Sequence, residues 1–370
     1  MNLSYWERES WLNNIDFTIV GSGIVGLTCA LTLRKNYPSA NILVLEKGFL
    51  PQGASTKNAG FACFGSITEL LNDLKFQTND ELLQLVTKRW HGLQQLRELI
   101  GDEFLDYQQH GSYELFFEND ETRYRFAVEN IEHINSILQP LFKEDVFQLK
   151  GNPYKFKKIL PYVMYNKFEG QLDTGKLMKA LLNKCHDKNI RILNCTELKL
   201  FEEFTHHVSL VTNHFTLNTK KLIIATNGFA SQLIKEKVQP ARAQVLITKP
   251  IKKLAIKGTF HIDEGYYYFR NINDRILFGG ARNLNIQGET TTEFGQTEEI
   301  QNRLEEILKT VILPHYDYEI DYKWSGIMGL GHDKIPIVKQ LSNHVYCGVK
   351  LGGMGIAIGT NIGKELAALI

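Results

Sequence analysis

Gly21, Gly23 and Gly26 stand at Gly-x-Gly-x-x-Gly spacing directly after the apolar run Phe17-Thr18-Ile19-Val20. At that spacing the first glycine makes a tight turn and the second lets the backbone approach a pyrophosphate. The third lets the next helix pack against the strand. Ile24 and Val25 then open a helix whose N-terminal amides face the phosphates. A second apolar run, Asn41-Ile42-Leu43-Val44-Leu45, ends in Glu46, followed by Lys47. A carboxylate at this distance beyond the third glycine takes the ribose hydroxyls of an adenosine. Turn, helix, second strand and acid together predict a dinucleotide-binding βαβ unit.

The chain that must position these groups has 370 residues, enough for two domains. With 43% hydrophobic residues and a net charge of +1 it reads as an ordinary soluble protein with no electrostatic footprint for nucleic acid. No apolar run is long enough to span a bilayer, and the first ten residues lack the pattern of a signal peptide; both point to a cytoplasmic protein. The five cysteines have no paired short spacing, so neither a disulfide framework nor a metal site is expected. His206, His207 and His214 fall in what reads as a surface hairpin.

Thr78 to Ile100 carries apolar residues at helical spacing, and Glu121 to Leu138 reads as a second helical stretch. Asp173 can cap a helix through Leu182. Leu222-Ile223-Ile224 is a buried strand ending in Ala225-Thr226-Asn227-Gly228, small and polar residues of the kind found beside a ligand. From Gln244 to Gly280 the pattern is of antiparallel strands, and Gly352-Gly353-Met354-Gly355-Ile356 opens the closing helix. The expected fold class is α/β. A Rossmann-like nucleotide domain (residues 1–75, 150–235 and 321–370) would accompany an α+β substrate domain on a largely antiparallel sheet (76–149 and 236–320).

These ordered motifs resemble the D-amino-acid-oxidase-like superfamily of FAD-dependent oxidoreductases, which holds glycine oxidase, sarcosine oxidase and γ-glutamylputrescine oxidase. The resemblance rests on Gly21 to Gly26 with Glu46, on Gly53-Ala54-Ser55-Thr56-Lys57-Asn58-Ala59-Gly60, and on Ala225 to Gly228. Trp324-Ser325-Gly326, Asp333 with Pro336, and Gly352 to Gly355 complete it, with Ser4-Tyr5-Trp6 similar to the start of the γ-glutamylputrescine oxidase branch. It implies FAD held by these segments and by Leu198. The loop Gly53 to Gly60 would bring backbone amides and Ser55 to the pyrophosphate and ring edge. The glycines at 352–355 would admit the flavin, with the helix N-terminus favouring negative charge on the reduced ring.

Where the sarcosine oxidase branch carries a flavin-linking cysteine, seven residues before the matching aspartate, this chain has Gly326, which predicts noncovalent FAD. Where glycine oxidase and D-amino-acid oxidase carry a carboxylate-binding arginine, it has Met328; Arg270 and Arg282 are the candidates to replace it, with surface or structural ion pairing equally open. Leu277 falls where the sarcosine branch has an oxygen-activating lysine, so the electron acceptor is oxygen or another carrier. In Tyr266-Tyr267-Tyr268, alternation sends Tyr267 to one face and its neighbours to the other; Tyr267 and Arg270 are favoured for the substrate wall. The predicted reaction is oxidation of a C–N bond in a small amine or amino-acid derivative. Two alternatives stay open. One is a CH–OH dehydrogenase with His332 as base, the other a noncatalytic flavin-binding module.

Overall fold

The computed structural model describes residues 2–370. The apolar runs around the first glycine turn form the centre of a parallel sheet. Ile15–Val20 lies between Thr216–Ile224 and Ile42–Leu45, with Val345–Val349 and Arg191–Leu193 outside them, all parallel. The central strands are buried along almost their whole length, as strands covered on both faces must be. Ile337–Gln340 pairs antiparallel at one edge, and a hairpin of Leu198–Glu203 and Val208–Thr212 runs back along Thr216–Ile224.

Three helices cover one face: Ile24–Asn36, Asn79–Ile100 and Gly355–Ala368. Their backbones approach closely. A methyl group on Gly92 would lie 2.2 Å from the Ala357 carbonyl oxygen, and one on Gly363 would lie 2.0 Å from Thr28 Oγ1. Leu93, Leu96 and Ile100 thereby join the core of the nucleotide domain. The C-terminal half of the helix over 79–100 therefore packs with that core, while Leu82 and Val86 pack with Phe116, Ile134 and Met164 on the substrate side, where its sequence position had placed it.

The second sheet runs in the order Ile320–Leu330, Gln239–Thr248, Arg275–Gly280, Tyr267–Ile272, Thr259–Ile262, Ser112–Leu115, Tyr162–Asn166, Phe147–Gly151. It is antiparallel except where Thr259–Ile262 meets Ser112–Leu115. This membership corrects two expected boundaries. Tyr162–Asn166 and Ile320–Leu330 belong to the substrate sheet, not to the nucleotide domain. Ile320–Leu330 pairs along the whole of Gln239–Thr248, and its far end reaches the nucleotide domain, where Gly326 passes tightly over Lys57. The helical stretch from Glu121 is two helices, Glu121–Glu129 and Ile131–Phe142, parted at Asn130. Among the described residues no helix is long and apolar enough to cross a membrane.

Candidate active site

A cavity of about 590 Å³ runs from the carboxyl ends of the parallel strands to the face of the substrate sheet. That size lies within the range of small-molecule and cofactor sites, roughly 300–1,000 Å³. All the expected cofactor-binding residues line it except Gly26, Gly60 and Gly228. Those three stand behind the wall, at points where backbone meets backbone. A methyl group on Gly26 would sit 1.9 Å from the Gly21 carbonyl oxygen, one on Gly60 2.3 Å from that of Leu172, and one on Gly228 2.5 Å from that of Met328.

At the nucleotide end, Glu46 closes its strand in a buried position. One carboxylate oxygen accepts from the Ser22 amide (3.1 Å) and hydroxyl (2.7 Å), the other from the Gly48 amide (2.9 Å). These bonds fix the acid at the edge of the glycine turn. Lys47 lies 3.4 Å over the Phe229 ring, and burial draws its pKa below the ordinary value. Ser55 Oγ accepts from the Ile24 amide at 3.0 Å, so the loop over 53–60 is tied to the first turn of the helix it faces. Asn58 holds that loop in shape, donating to the carbonyls of Ala54 and Ser55 and accepting from the Gly60 amide.

At the far end of the cavity, Asn227 Oδ1 accepts from the amides of Lys350 (3.1 Å) and Leu351 (3.2 Å) and shapes the approach to Gly352. Gly352 and Gly353 have φ of +58° and +84°, a left-handed backbone that glycine adopts without strain. A methyl group built on Gly352 or Gly355 would meet no protein atom within 4 Å. The space over these glycines is thus a cradle that side chains would fill. The helix Gly355–Ala368 has no side-chain cap, so its first-turn amides and partial positive charge face the cavity. Two helix N-termini, a buried acid at the end of the second strand and a side-chain-free cradle fit FAD.

The substrate end is walled by Phe61, Tyr266, Tyr268, Met328, Cys63 and His261, with Glu69 and Arg282 also reaching it. The alternation expected in the tyrosine run holds, but the cavity is on the other face. Tyr266 and Tyr268 line it, while Tyr267 is buried among Phe117, Phe278 and the core beneath helix Glu298–Ile307. Arg270 does not reach the cavity either. Its Nε donates to the Ala59 carbonyl and its Nη2 to that of Leu172 at 2.9 Å, and burial lowers its pKa to about 10. His332 lies exposed outside the wall. Asp333 beside it accepts from Lys350 Nζ at 2.7 Å, a contact that braces the loop before Gly352. Arg282, half-buried after the turn at Ala281, carries no carboxylate partner among the described residues.

The sequence reading missed His261, Glu69 and the polar layer behind them. Ser66 and Glu69 form a readable capping box for helix Ile67–Asp73, a signal for a helix start and not for a site. Burial pushes the Glu69 carboxyl up, but Lys334 and other neighbours outweigh it and hold the group below its usual value. Burial lowers the pKa of His261, and it raises the carboxyls of Glu114 and Glu169 to about 7.

Several known proteins are similar to this chain. The chain is 20% identical to "Probable oxidoreductase OrdL" of Haemophilus influenzae, over 97% of this chain and 83% of that protein. It superimposes on L-proline dehydrogenase from P. horikoshii with a TM-score of 0.72, covering 96% of this chain and 93% of that one at 20% identity. For glycine oxidase from Geobacillus kaustophilus the TM-score is 0.74, with 96% and 94% covered at 17% identity. At such identities the structures speak for the fold. The family itself is settled by a match over residues 16–369 to the DAO family: the chain is a member of these FAD-dependent oxidoreductases.

Proposed function

We propose that the protein oxidises a carbon–nitrogen bond of a small amine or amino-acid derivative, with noncovalently held FAD as hydride acceptor. When bound, FAD supplies the two-electron redox chemistry. The observation that carries this reading is a single cavity joining the nucleotide cradle to an aromatic-lined pocket under the substrate sheet. Phe61, Tyr266 and Tyr268 give that pocket an aromatic wall suited to an apolar substrate body. Arg282 provides a guanidinium at the cavity that has no carboxylate partner among the described residues and is suited to a substrate carboxylate. No side chain is required to remove a proton from carbon, because a neutral amine can lose hydride without a base. The CH–OH alternative relied on His332, which stands outside the wall.

Noncovalent attachment is supported by Gly326, which offers no thiol, and by the state of Cys63. That thiol is buried, and burial with Glu169 and Glu69 nearby pushes its pKa well up, away from the thiolate that attacks. Leu277, at the position where the sarcosine oxidase branch carries its oxygen-activating lysine, packs with Ala59 and Val245 in an apolar cluster and offers no cation there, which favours an electron acceptor other than oxygen. The test is anaerobic titration of the yellow protein with secondary amines, N-substituted amino acids, D-amino acids, diamine derivatives and hydroxy acids. Bleaching by a nitrogen donor supports the reading; bleaching by a hydroxy acid alone refutes it. Acid precipitation should release the flavin into the supernatant.

A further inference from the structure

Behind the substrate end, three side chains from three elements meet at the seam between the domains. Cys63 follows the strand Phe61–Ala62. Glu169 precedes Gly170–Gln171, which pairs with that strand, and His261 sits on Thr259–Ile262 of the substrate sheet. One thiol, one carboxylate and one imidazole atom lie within 4.8 Å of one another.

All three residues are at least nine-tenths buried, and two of them hold polar atoms with no partner. Glu169 Oε1 accepts from the amides of Phe64 (2.7 Å) and Gly65 (3.1 Å), whereas its Oε2 has no well-formed hydrogen bond, with the Ser112 hydroxyl near the carboxylate. His261 Nε2 is likewise unpaired. Leaving such atoms unsatisfied costs free energy, so each calls for a ligand. An ammonium group would suit the carboxylate and imidazole but not the thiol, a weak acceptor. A borderline-soft divalent cation suits all three, since sulfur, nitrogen and oxygen are the donor set of zinc.

We propose that Cys63, Glu169 and His261 bind one divalent cation of the zinc type, with its open coordination position toward the substrate end of the cavity. Cys63 and His261 both line that cavity, which gives the ion its entry path. Three protein ligands plus one exchangeable position is the arrangement of an open zinc site. On binding, the thiol gives its proton to solvent and its sulfur lone pair to the metal, and any proton on Glu169 leaves in the same way. There is no change of oxidation state. The ion would clip the segment after the flavin loop to the substrate sheet, and its free position would accept a substrate carboxylate or amine. The site stands independently of the C–N reading, because it is tested without turnover.

The experiment uses the FAD-loaded protein, stripped with a chelator and then dialysed against zinc, with flavin absorbance as the measure of concentration. Elemental analysis should find about one zinc per chain, together with a rise in the thermal unfolding midpoint. Cobalt in place of zinc should add a thiolate charge-transfer band in the difference spectrum of the wild-type protein. Cys63→Ser should abolish that band, and Cys63→Ser and His261→Gln should each weaken zinc binding by roughly tenfold or more while keeping flavin. Folded, flavin-loaded wild-type protein that retains no stoichiometric zinc overturns the proposal. Stoichiometric cobalt without a thiolate band overturns it too, as does stabilisation by a diamine such as putrescine in place of zinc. The wild-type measurements decide the matter even if a variant fails to fold.

Discussion

On the proposed reading Arg282 is the residue that sets substrate choice, because Met328, which also lines the cavity, carries no charge and Arg270 is committed elsewhere. Replacing Arg282 with Met should raise KM for carboxylate-bearing donors by roughly 10- to 100-fold, the equivalent of one lost charged hydrogen bond, with kcat changed far less. Steady-state kinetics on paired donors with and without a carboxylate would show it; an equal loss for both would remove Arg282 from that role. Tyr267→Phe, by contrast, should leave KM for any donor unchanged, since that ring packs in the core. The tyrosine run shows where sequence reading stops at this scale. Alternation along a strand is set by backbone geometry and was legible, but which face meets the cavity depends on where helix Glu298–Ile307 packs. The glycine turn and Glu46 were legible because their chemistry is local. His261 was not, because only the pairing of Thr259–Ile262 with Ser112–Leu115 and Tyr267–Ile272 brings it to the wall.

Elements dock through buried polar contacts whose protonation can be read out. Strand Ser112–Leu115 holds helix Ile67–Asp73 through Glu114, which accepts from the Thr68 amide at 3.2 Å and from its hydroxyl. Burial raises the Glu114 carboxyl from 4.5 to about 7, so the folded state binds a proton that the unfolded chain has released. Its contribution to stability is therefore full below pH 4.5 and is lost as pH rises through 7, by up to roughly 3 kcal/mol. Glu114→Gln should gain stability relative to wild type across that window, measured by urea unfolding at pH 5 and pH 8; parallel profiles would contradict this. Gly92→Val should destabilise by about 1–3 kcal/mol or more through overpacking against Ala357. The helix over 79–100 was legible from its apolar spacing; the cap by Thr78 came only with the structure. Its partner was not, because a close helix crossing is specified jointly by Gly92 and by a segment more than 250 residues away.

For the whole molecule, the defining feature is that both domains are assembled from separated stretches and meet around the cavity. Arg270 is a clip across that meeting, joining the substrate sheet to the flavin loop at Ala59 and to Leu172. Arg270→Met would leave two buried carbonyls unpaired at about 1–3 kcal/mol each, and FAD should bind more weakly, as seen by flavin fluorescence on dilution. The two-domain plan was legible from the switch between parallel and antiparallel patterns. The boundaries were not, because Ile320–Leu330 serves the substrate sheet at one end and the cofactor cavity at the other. The proposed function requires that FAD be held in this cavity and be reduced by a nitrogen donor. The most direct test is the visible spectrum of the purified protein under anaerobic conditions while amines and amino-acid derivatives are added. The proposed chemistry predicts a yellow protein whose flavin bands bleach with one class of nitrogen donor. A colourless protein that takes up no added FAD, or a yellow one bleached only by hydroxy acids, would contradict it.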